Sequence, residues 1–130
     1  MQEVFDFLKK CGTYYLATVE GDQPHVRPFT SLNLYEGRIY FQTGKVKNVA
    51  HQLKDNKKIE ISGMFEGSWI RLTGEAVPHE DEKAQQAMLD ANPGLDKMYA
   101  VGDGNIEVYY IENAKVDICS FTEEPKHYEF

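Results

Sequence analysis

A series of short β-strand patterns, separated mainly by turns, is the feature that most limits how this chain can fold. The stretches are rich in the β-branched and aromatic residues typical of strands, and turn sequences such as "EGDQP", "YEG" and "EGS" separate several of them. There are about seven: "TYYLATV", "HVRPFTSLNL", "RIYFQT", "IEISGMF", "WIRLTGEAV", "IEVYYIE" and "KVDICSF". Helical patterns do not alternate with them one by one, which argues against a doubly wound parallel sheet.

Helical patterns occur at three places between these strands. The first is "VFDFLKKCG", the second has an apolar stripe of Val46, Val49, Ala50 and Leu53, and the third is "HEDEKAQQAMLDA". We therefore predict a mainly β fold with flanking helices, built as a small antiparallel barrel. The first three strands are expected to form a meander, and the last two to pair around Asn113. Residues 1–122 are predicted to form a single domain, followed by an exposed tail at residues 123–130.

The charge balance limits the classes of partner. Lys and Arg total 14 against 21 Asp and Glu, so the formal net charge is -7. This balance argues against sequence-independent binding to nucleic acid and against an anionic membrane surface. No apolar run approaches the ~20 residues of a transmembrane helix, and the first residues do not resemble a signal peptide. The distant Cys11 and Cys119 fit neither a zinc pattern nor a disulfide framework, which predicts a cytoplasmic protein with both cysteines buried.

Positive side chains are concentrated in the segment "TGKVKNVAHQLKDN", residues 43–56. This segment lies where a predicted strand turns into a helix, and the first turn of a helix exposes N–H groups that favour phosphate. The candidates for an anion site are Thr43, Gly44, Lys45, Lys47 and Asn48, where Gly44 would let the backbone bend or approach the anion closely. The alternative is a solvated basic helix face, which explains most lysine clusters; Lys45 and Lys54 are expected to stay in solvent.

Two further features carry a structural and a functional interpretation. In "PHVRPF", two prolines predict an edge or irregular strand, with His25, Arg27 and Phe29 on one face and Val26 and Pro28 on the other. This strand either lies at a sheet edge with a surface arginine or presents that arginine to a ligand. Similarly, Trp69 is either part of the core or an interface, or stacks near a planar ligand. The four histidines have no metal-binding spacing, and no Ser/His/Asp set is evident.

Taken in order, several segments together resemble the pyridoxamine 5'-phosphate oxidase-like family of FMN-binding split barrels, in particular its short bacterial members. The segments are "YYLATVEGDQPHVRPF", "EGRIYFQTGKVKNVAHQLKDNKKIEI", "WIRLTGEA" and "VYYIENAKVDICSF", which together span nearly the whole chain. The resemblance implies a six-stranded antiparallel split β-barrel. It also implies a homodimer that binds FMN at the subunit interface.

The family's cofactor contacts carry over to matching positions of this chain. The strand that runs beside the flavin ring corresponds to Val26, Arg27, Pro28 and Phe29, and the phosphate-binding turn corresponds to Gln42, Thr43, Lys47 and Asn48. Trp69 takes a position where the family's oxidases place a glutamine near the flavin. The family's turn often reads Ser-Arg-Lys, whereas this chain has Lys47-Asn48-Val49, so one long cationic side chain replaces two.

The C-terminus departs from the true oxidases of the family, which end in an Arg-x-His segment that helps bind the pyridoxal substrate. This chain ends in "FTEEPKHYEF". The resemblance therefore implies an FMN-dependent oxidoreductase, a reductase of a small substrate with NAD(P)H as a plausible electron donor, rather than a pyridoxamine phosphate oxidase. The alternative is a non-enzymatic flavin-binding or sensing module, and haem or deazaflavin binding is a third option.

Overall fold

The computed structural model describes all 130 residues and contains three helices and eight strands. The helices are α1 (Gln2–Cys11), α2 (Asn48–Asp55) and α3 (Glu82–Ala91), with one 3-10 turn at Leu95–Lys97. The strands are β1 (Tyr14–Glu20), β2 (Gln23–Phe29), β3 (Asn33–Tyr35), β4 (Arg38–Gly44), β5 (Lys58–Phe65), β6 (Ser68–Pro78), β7 (Ile106–Ser120) and β8 (Lys126–Glu129).

All strand pairs are antiparallel and belong to one sheet in the order β2-β1-β5-β6-β7-β4-β3, with β8 also paired to β7. The predicted mainly β class with flanking helices is confirmed, although the sheet has eight strands rather than six. No helix has the length and apolar character needed to cross a membrane.

The stretch "HVRPFTSLNL" is divided between two strands, so the predicted three-stranded meander is wrong. β2 pairs with β1, and β3 pairs with β4, but β2 and β3 are at opposite ends of the strand order. The backbone leaves the ladder after Phe29, and side chains take over its hydrogen bonds. The Ser31 hydroxyl exchanges hydrogen bonds with the backbone of Gln42 at 3.1 and 3.2 Å. This contact joins the segment after β2 to β4 without strand pairing.

The predicted hairpin around Asn113 is also wrong, because β7 is a single strand of 15 residues. Asn113 has a φ of 52°, and the register between β6 and β7 shifts between Thr73 and Glu75. The Asn113 amide donates to Glu75 Oε1 at 2.6 Å. The irregularity therefore bends β7 while β6 keeps pairing with it on both sides, as β-bulges do.

Residues 123–130 are mostly exposed, as predicted, but they also contain a strand. That strand, β8, pairs with β7 over Lys126–Glu129. Tyr128 and Phe130 are partly buried and pack against the main core. The last residues thus add a strand to the sheet instead of extending into solvent.

Two apolar clusters hold the molecule together. The larger fills the barrel and includes Tyr14, Phe41 and Leu72, while the smaller lies under α3 around Tyr40 and Met88. Helix α2 closes one part of the barrel through three residues of its predicted stripe, Val49, Ala50 and Leu53. Val46, the fourth, is 77% exposed because the helix begins only at Asn48.

The two cysteines differ from expectation in their burial. Cys11 and Cys119 are free thiols, but both are half-buried rather than buried. Burial raises the pKa of the Cys11 thiol, which reduces the fraction of reactive thiolate.

Candidate functional site

A cavity of about 600 Å³ lies where β2 approaches the end of β4 and the start of α2. β2 and β4 are not neighbours in the sheet, so side chains rather than a ladder fill the space between them. The ring of Phe29 meets that of Phe41 at a centroid distance of 5.6 Å. The volume falls within the ~300–1,000 Å³ typical of small-molecule sites.

The cavity brings together every residue predicted to contact FMN except Trp69. These lining residues are Val26, Arg27, Pro28, Phe29, Gln42, Thr43, Lys47 and Asn48. They come from β2, β4 and the start of α2, which are separated in sequence. The alternation predicted for β2 is also observed, with His25, Arg27 and Phe29 half-buried and the residues between them exposed.

Arg27 is held inside the cavity by neutral oxygen atoms. Its Nη1 donates to the carbonyl oxygen of Leu16 at 3.1 Å and to Thr18 Oγ1 at 2.9 Å, and its Nη2 donates to Gln52 Oε1 at 2.8 Å. Burial lowers the pKa of the guanidinium, which nevertheless stays protonated near neutral pH. Because these three acceptors are uncharged, the positive charge of Arg27 remains available to an anionic ligand.

Gln52 is a site residue that sequence analysis missed. It is 5% exposed, lines the cavity, and accepts from Thr18 Oγ1 at 2.5 Å as well as from Arg27. Its own amide donates to Glu20 Oε2 at 3.2 Å. A signal existed in the sequence, because Gln52 follows Asn48 by four residues and lies beside the buried Leu53 on α2.

The start of α2 forms a second polar wall. Lys47 is the N-cap residue in extended conformation, and no side chain caps the helix. The first N–H groups of a helix have no intrahelical partner and lie at the positive end of its dipole. Lys47 and Asn48 both line the cavity beside these groups, and Lys47 forms no ion pair with a carboxylate. This end of the cavity therefore combines a cation with open backbone donors.

The other positive residues of the segment have different surroundings. Lys45 stays at the surface, with 37% of its side chain exposed, and pairs there with the exposed Glu80 at 2.7 Å. Its hydrogen bond to Glu80 raises the pKa of Lys45. Lys54 is exposed as predicted, and His51 is exposed without lining this cavity. Of the lysines and histidine in residues 43–56, only Lys47 faces the cavity.

Apolar side chains form the remaining walls. Phe29 is supported from below by Tyr14 and Phe41, with ring centroids 6.1 and 5.6 Å away. Across the cavity, Leu95 and Met98 come from the segment that follows α3. Met98 is 70% exposed although it is a large apolar residue. No local sequence pattern predicts this wall, because the segment is irregular and is positioned only by tertiary contacts.

Trp69 lies elsewhere on the chain. It occupies the start of β6 opposite Met64 and Cys119, and its ring contacts that of Phe121 at a centroid distance of 5.0 Å. It does not line the cavity of the single chain. A contact between Trp69 and FMN therefore stays a prediction that needs a second subunit.

The cavity thus has two chemically different parts. One part offers Lys47 and the open N–H groups at the start of α2, and the other offers the flat apolar surface around Phe29, with Arg27 on the same face of β2. Such a cavity suits a ligand with an anionic group at one end and a planar apolar ring at the other.

Comparison with known proteins agrees with this architecture. The sequence matches the family model described as pyridoxamine 5'-phosphate oxidase over residues 1–116. No match was found among curated proteins.

Several solved structures are similar to this chain, at sequence identities that range from 15% to 42%. A NimC/NimA family protein from Clostridium acetobutylicum is 42% identical, with a TM-score of 0.97, and the match covers 100% of this chain and 92% of that one. General stress protein 26 from Bacillus anthracis is 16% identical, with a TM-score of 0.79 over 99% and 97% of the two chains. A heme-binding protein from Mycobacterium smegmatis is 15% identical, with a TM-score of 0.75 over 98% and 56%. By its sequence match and its 42% identical relative, the chain belongs to the pyridoxamine 5'-phosphate oxidase family.

Proposed function

We propose that the protein binds FMN and acts as a flavin-dependent reductase of a small substrate. The observation that carries this proposal is the cavity in which Arg27, Lys47 and the uncapped start of α2 adjoin an apolar wall. Family membership supports the choice of a flavin.

The chain's own residues fit the parts of FMN. The phosphate is largely dianionic near neutral pH and needs a cation and N–H donors, which Lys47, Thr43 and Asn48 would supply. The ring needs a flat apolar surface, which Val26, Pro28 and Phe29 would supply from β2. When bound, FMN supplies the electron-transfer chemistry, with NAD(P)H as the proposed electron donor.

Arg27 would act on the polar edge of the ring. That edge gains negative charge when the flavin is reduced, and a fixed cation stabilises such charge. The hydrogen bonds to Leu16, Thr18 and Gln52 hold the guanidinium in place, so little reorganisation is needed when the charge develops. In this role Arg27 favours reduction of the bound cofactor.

We also propose that two copies of the chain form a homodimer with FMN at their interface. Apolar side chains lie on the solvent side of strands β2, β1, β5 and β6, which we call the outer sheet face: Tyr15, Val26, Pro28, Met64 and Trp69. Met64 is 63% exposed and Val26 67%. Large exposed apolar patches mark interaction sites. Val26 and Pro28 also line the cavity, so a second copy on this face would adjoin the ligand.

A cytoplasmic location is part of the proposal. It is supported by the two free cysteines, since thiols stay reduced in that compartment.

The second candidate is a flavin-binding or sensing module without turnover. Haem is the alternative ligand, because a protein of the same fold is described as heme-binding. These candidates make different spectroscopic predictions.

The test begins with the visible spectrum of the purified protein and a titration with FMN. We expect flavin absorbance at about 450 nm, which is a property of the cofactor itself, and saturable FMN binding. Anaerobic addition of NADH or NADPH should then bleach the bound flavin. Stoichiometric FMN that neither nucleotide reduces would favour the non-enzymatic module, and a haem spectrum without FMN uptake would reject the flavin.

Replacing Lys47 tests the phosphate end of the cavity. Lys47→Ala should weaken FMN binding by about 1–3 kcal/mol, because a hydrogen bond to a charged group is lost. Lys54→Ala is the matched control, since Lys54 is exposed on the same helix and does not line the cavity. Equal FMN affinities of the two variants would remove Lys47 from the site.

A further inference from the structure

The turn that precedes α2 is braced from behind by the segment of residues 100–106, which we call the bracing loop. The N–H of Lys45 donates to the carbonyl oxygen of Asn105 at 2.7 Å, and that of Val46 donates to Asn105 Oδ1 at 3.4 Å. Within the turn, the N–H of Lys47 donates to the carbonyl oxygen of Gly44 at 3.0 Å. Asn105 therefore binds two consecutive N–H groups immediately before Lys47.

Gly44 allows the bracing loop to approach this closely. A methyl group on Gly44 would lie 3.1 Å from Asn105 Nδ2 and 3.1 Å from the hydroxyl of Tyr99. These distances are shorter than ordinary van der Waals contacts, so any larger side chain would displace its neighbours. Gly44 has no positive φ, so its backbone conformation does not require a glycine. The close packing against Asn105 and Tyr99 does require one.

The bracing loop is itself fixed by one carboxylate. Asp103 accepts hydrogen bonds from the N–H groups of Ala100, Asn105 and Ile106, at 3.0, 2.7 and 2.7 Å. Three backbone donors on one side chain leave the loop little conformational freedom. These bonds hold Asn105 at a defined position next to the start of β7, from which it reaches the turn.

We propose that Asn105 is a positioning residue that sets the phosphate-binding geometry of the Gly44–Lys47 turn. Asn105 does not line the cavity, so it acts through the turn and not by touching the ligand. Its two hydrogen bonds fix the direction in which the chain enters α2, and with it the positions of Lys47 and the first N–H groups of the helix. This inference rests on the proposed binding of FMN.

Loss of this positioning should affect binding of the phosphate but not of the flavin ring. Charged hydrogen bonds depend on distance and direction, so a turn that is free to move loses affinity for phosphate. The apolar wall around Phe29 belongs to β2 and does not depend on the bracing loop. Loss of Asn105 should therefore weaken binding of FMN but leave that of riboflavin, which has the same ring and no phosphate.

The experiment compares both flavins on Asn105→Ala by quenching of flavin fluorescence. Asn105→Ala removes the hydrogen bond from the Val46 N–H to Oδ1 and keeps the backbone bond from the Lys45 N–H. We expect the Kd of FMN to rise about 3- to 10-fold and the Kd of riboflavin to change by less than about 2-fold, because the loss affects the phosphate end alone. Asn33→Ala is the matched control, because Asn33 is half-buried on β3 and its side chain forms no hydrogen bond with the turn. It should leave both constants unchanged.

A second variant guards against a general folding defect. Gly44→Ala keeps the Asn105 side chain but crowds it and Tyr99, which also lines the cavity, so it should weaken FMN binding at least as much as Asn105→Ala. Equal weakening of both flavins by Asn105→Ala, or an unchanged Kd for FMN in both variants, would overturn the positioning role. Wild-type protein that binds neither flavin would instead reject the proposed function, and the inference with it.

Discussion

For Arg27, the sequence predicts the backbone conformation and the strand face but not the hydrogen-bond partners. Its position between Pro28 and Val26 predicts an extended backbone with the arginine on the face opposite its neighbours, and the structure confirms this alternation. Its partners were not predictable. Thr18 comes from the paired strand β1, but Gln52 is 25 residues away on α2. Whether the arginine faced solvent or a cavity depended on that helix.

At the same scale, Asp103 should make stability depend on pH. The N–H groups of Ile106, Ala100 and Asn105 lower the pKa of its carboxyl group. A depressed pKa in the folded state means a contribution to stability that is complete above the unfolded pKa of about 3.9 and is lost as pH falls through the folded value. Asp103→Asn should therefore reduce the free energy of unfolding at pH 7 and have progressively less effect below about pH 4.

Urea unfolding at several pH values measures this difference. Asp22→Asn serves as the control, because Asp22 is exposed in the β1–β2 turn without side-chain hydrogen bonds to the bracing loop. An effect of Asp103→Asn that is equally large at pH 3 and pH 7 would show that the charge of Asp103 is not responsible.

At the scale of elements, α2 illustrates how tertiary contacts change a correct pattern. The period of its apolar residues predicts the buried face formed by Val49, Ala50 and Leu53. The same period includes Val46, but the chain there belongs to the turn held by Asn105, so the helix starts later. The polar Gln52 can be buried on the same helix because its Oε1 accepts hydrogen bonds from Thr18 and Arg27.

Gln52 should therefore contribute to stability as the link between α2 and the β1–β2 hairpin. Gln52→Leu keeps a side chain of similar size but removes the acceptor for Thr18 and Arg27. We expect a loss of about 1–3 kcal/mol in the free energy of unfolding, since partly buried donors are left unsatisfied. Urea denaturation measures the loss.

The control is the neighbouring position with the same introduced residue. His51 is exposed on α2, so His51→Leu should change stability by no more than about 0.5 kcal/mol. If Gln52→Leu were as stable as His51→Leu, the polar network would not hold α2 against the hairpin.

At the scale of the whole molecule, the outer sheet face is the feature that a single chain leaves unexplained. The inner side of the same strands packs into the main core, with Leu16 and Ile61 fully buried. The outer side carries Met64 and Trp69 as a cross-strand pair, and Phe121 on Trp69 is 85% exposed. A second copy of the chain is the proposed cover for this face.

Met64→Glu should consequently weaken the dimer, because it places an unpaired charge in the proposed interface. We expect size-exclusion chromatography with light scattering to give a dimer mass for the wild type and a shift towards monomer for the variant. His51→Glu introduces the same side chain at an exposed position of α2 that lies outside the outer sheet face and does not line the cavity, so it should leave the mass unchanged. A wild-type monomer in the presence of FMN would contradict the proposed dimer.

Much of the fold could be predicted because its signals are local. Strand positions follow from runs such as "TYYLATV" and "RIYFQT", and the edge position of β2 follows from Pro24 and Pro28, which cannot donate to a ladder. The hairpin expected at Asn113 failed because a left-handed residue serves a bulge as well as a turn. The chain alone does not say which, since the choice depends on β6 continuing alongside.

The family resemblance supplied the eight predicted residues among the 17 that line the cavity. The sequence pattern by itself determined the mainly β class and the faces of β2 and α2. These follow from side-chain periodicity and from proline and glycine, which act within a few residues. Only the tertiary structure decided the strand order and the ion pair between Lys45 and Glu80. It also decided that Gln52 and Met98 line the cavity and that Asn105 braces the turn before α2. Those features depend on contacts between residues far apart in sequence, and such contacts exist only once the barrel has formed.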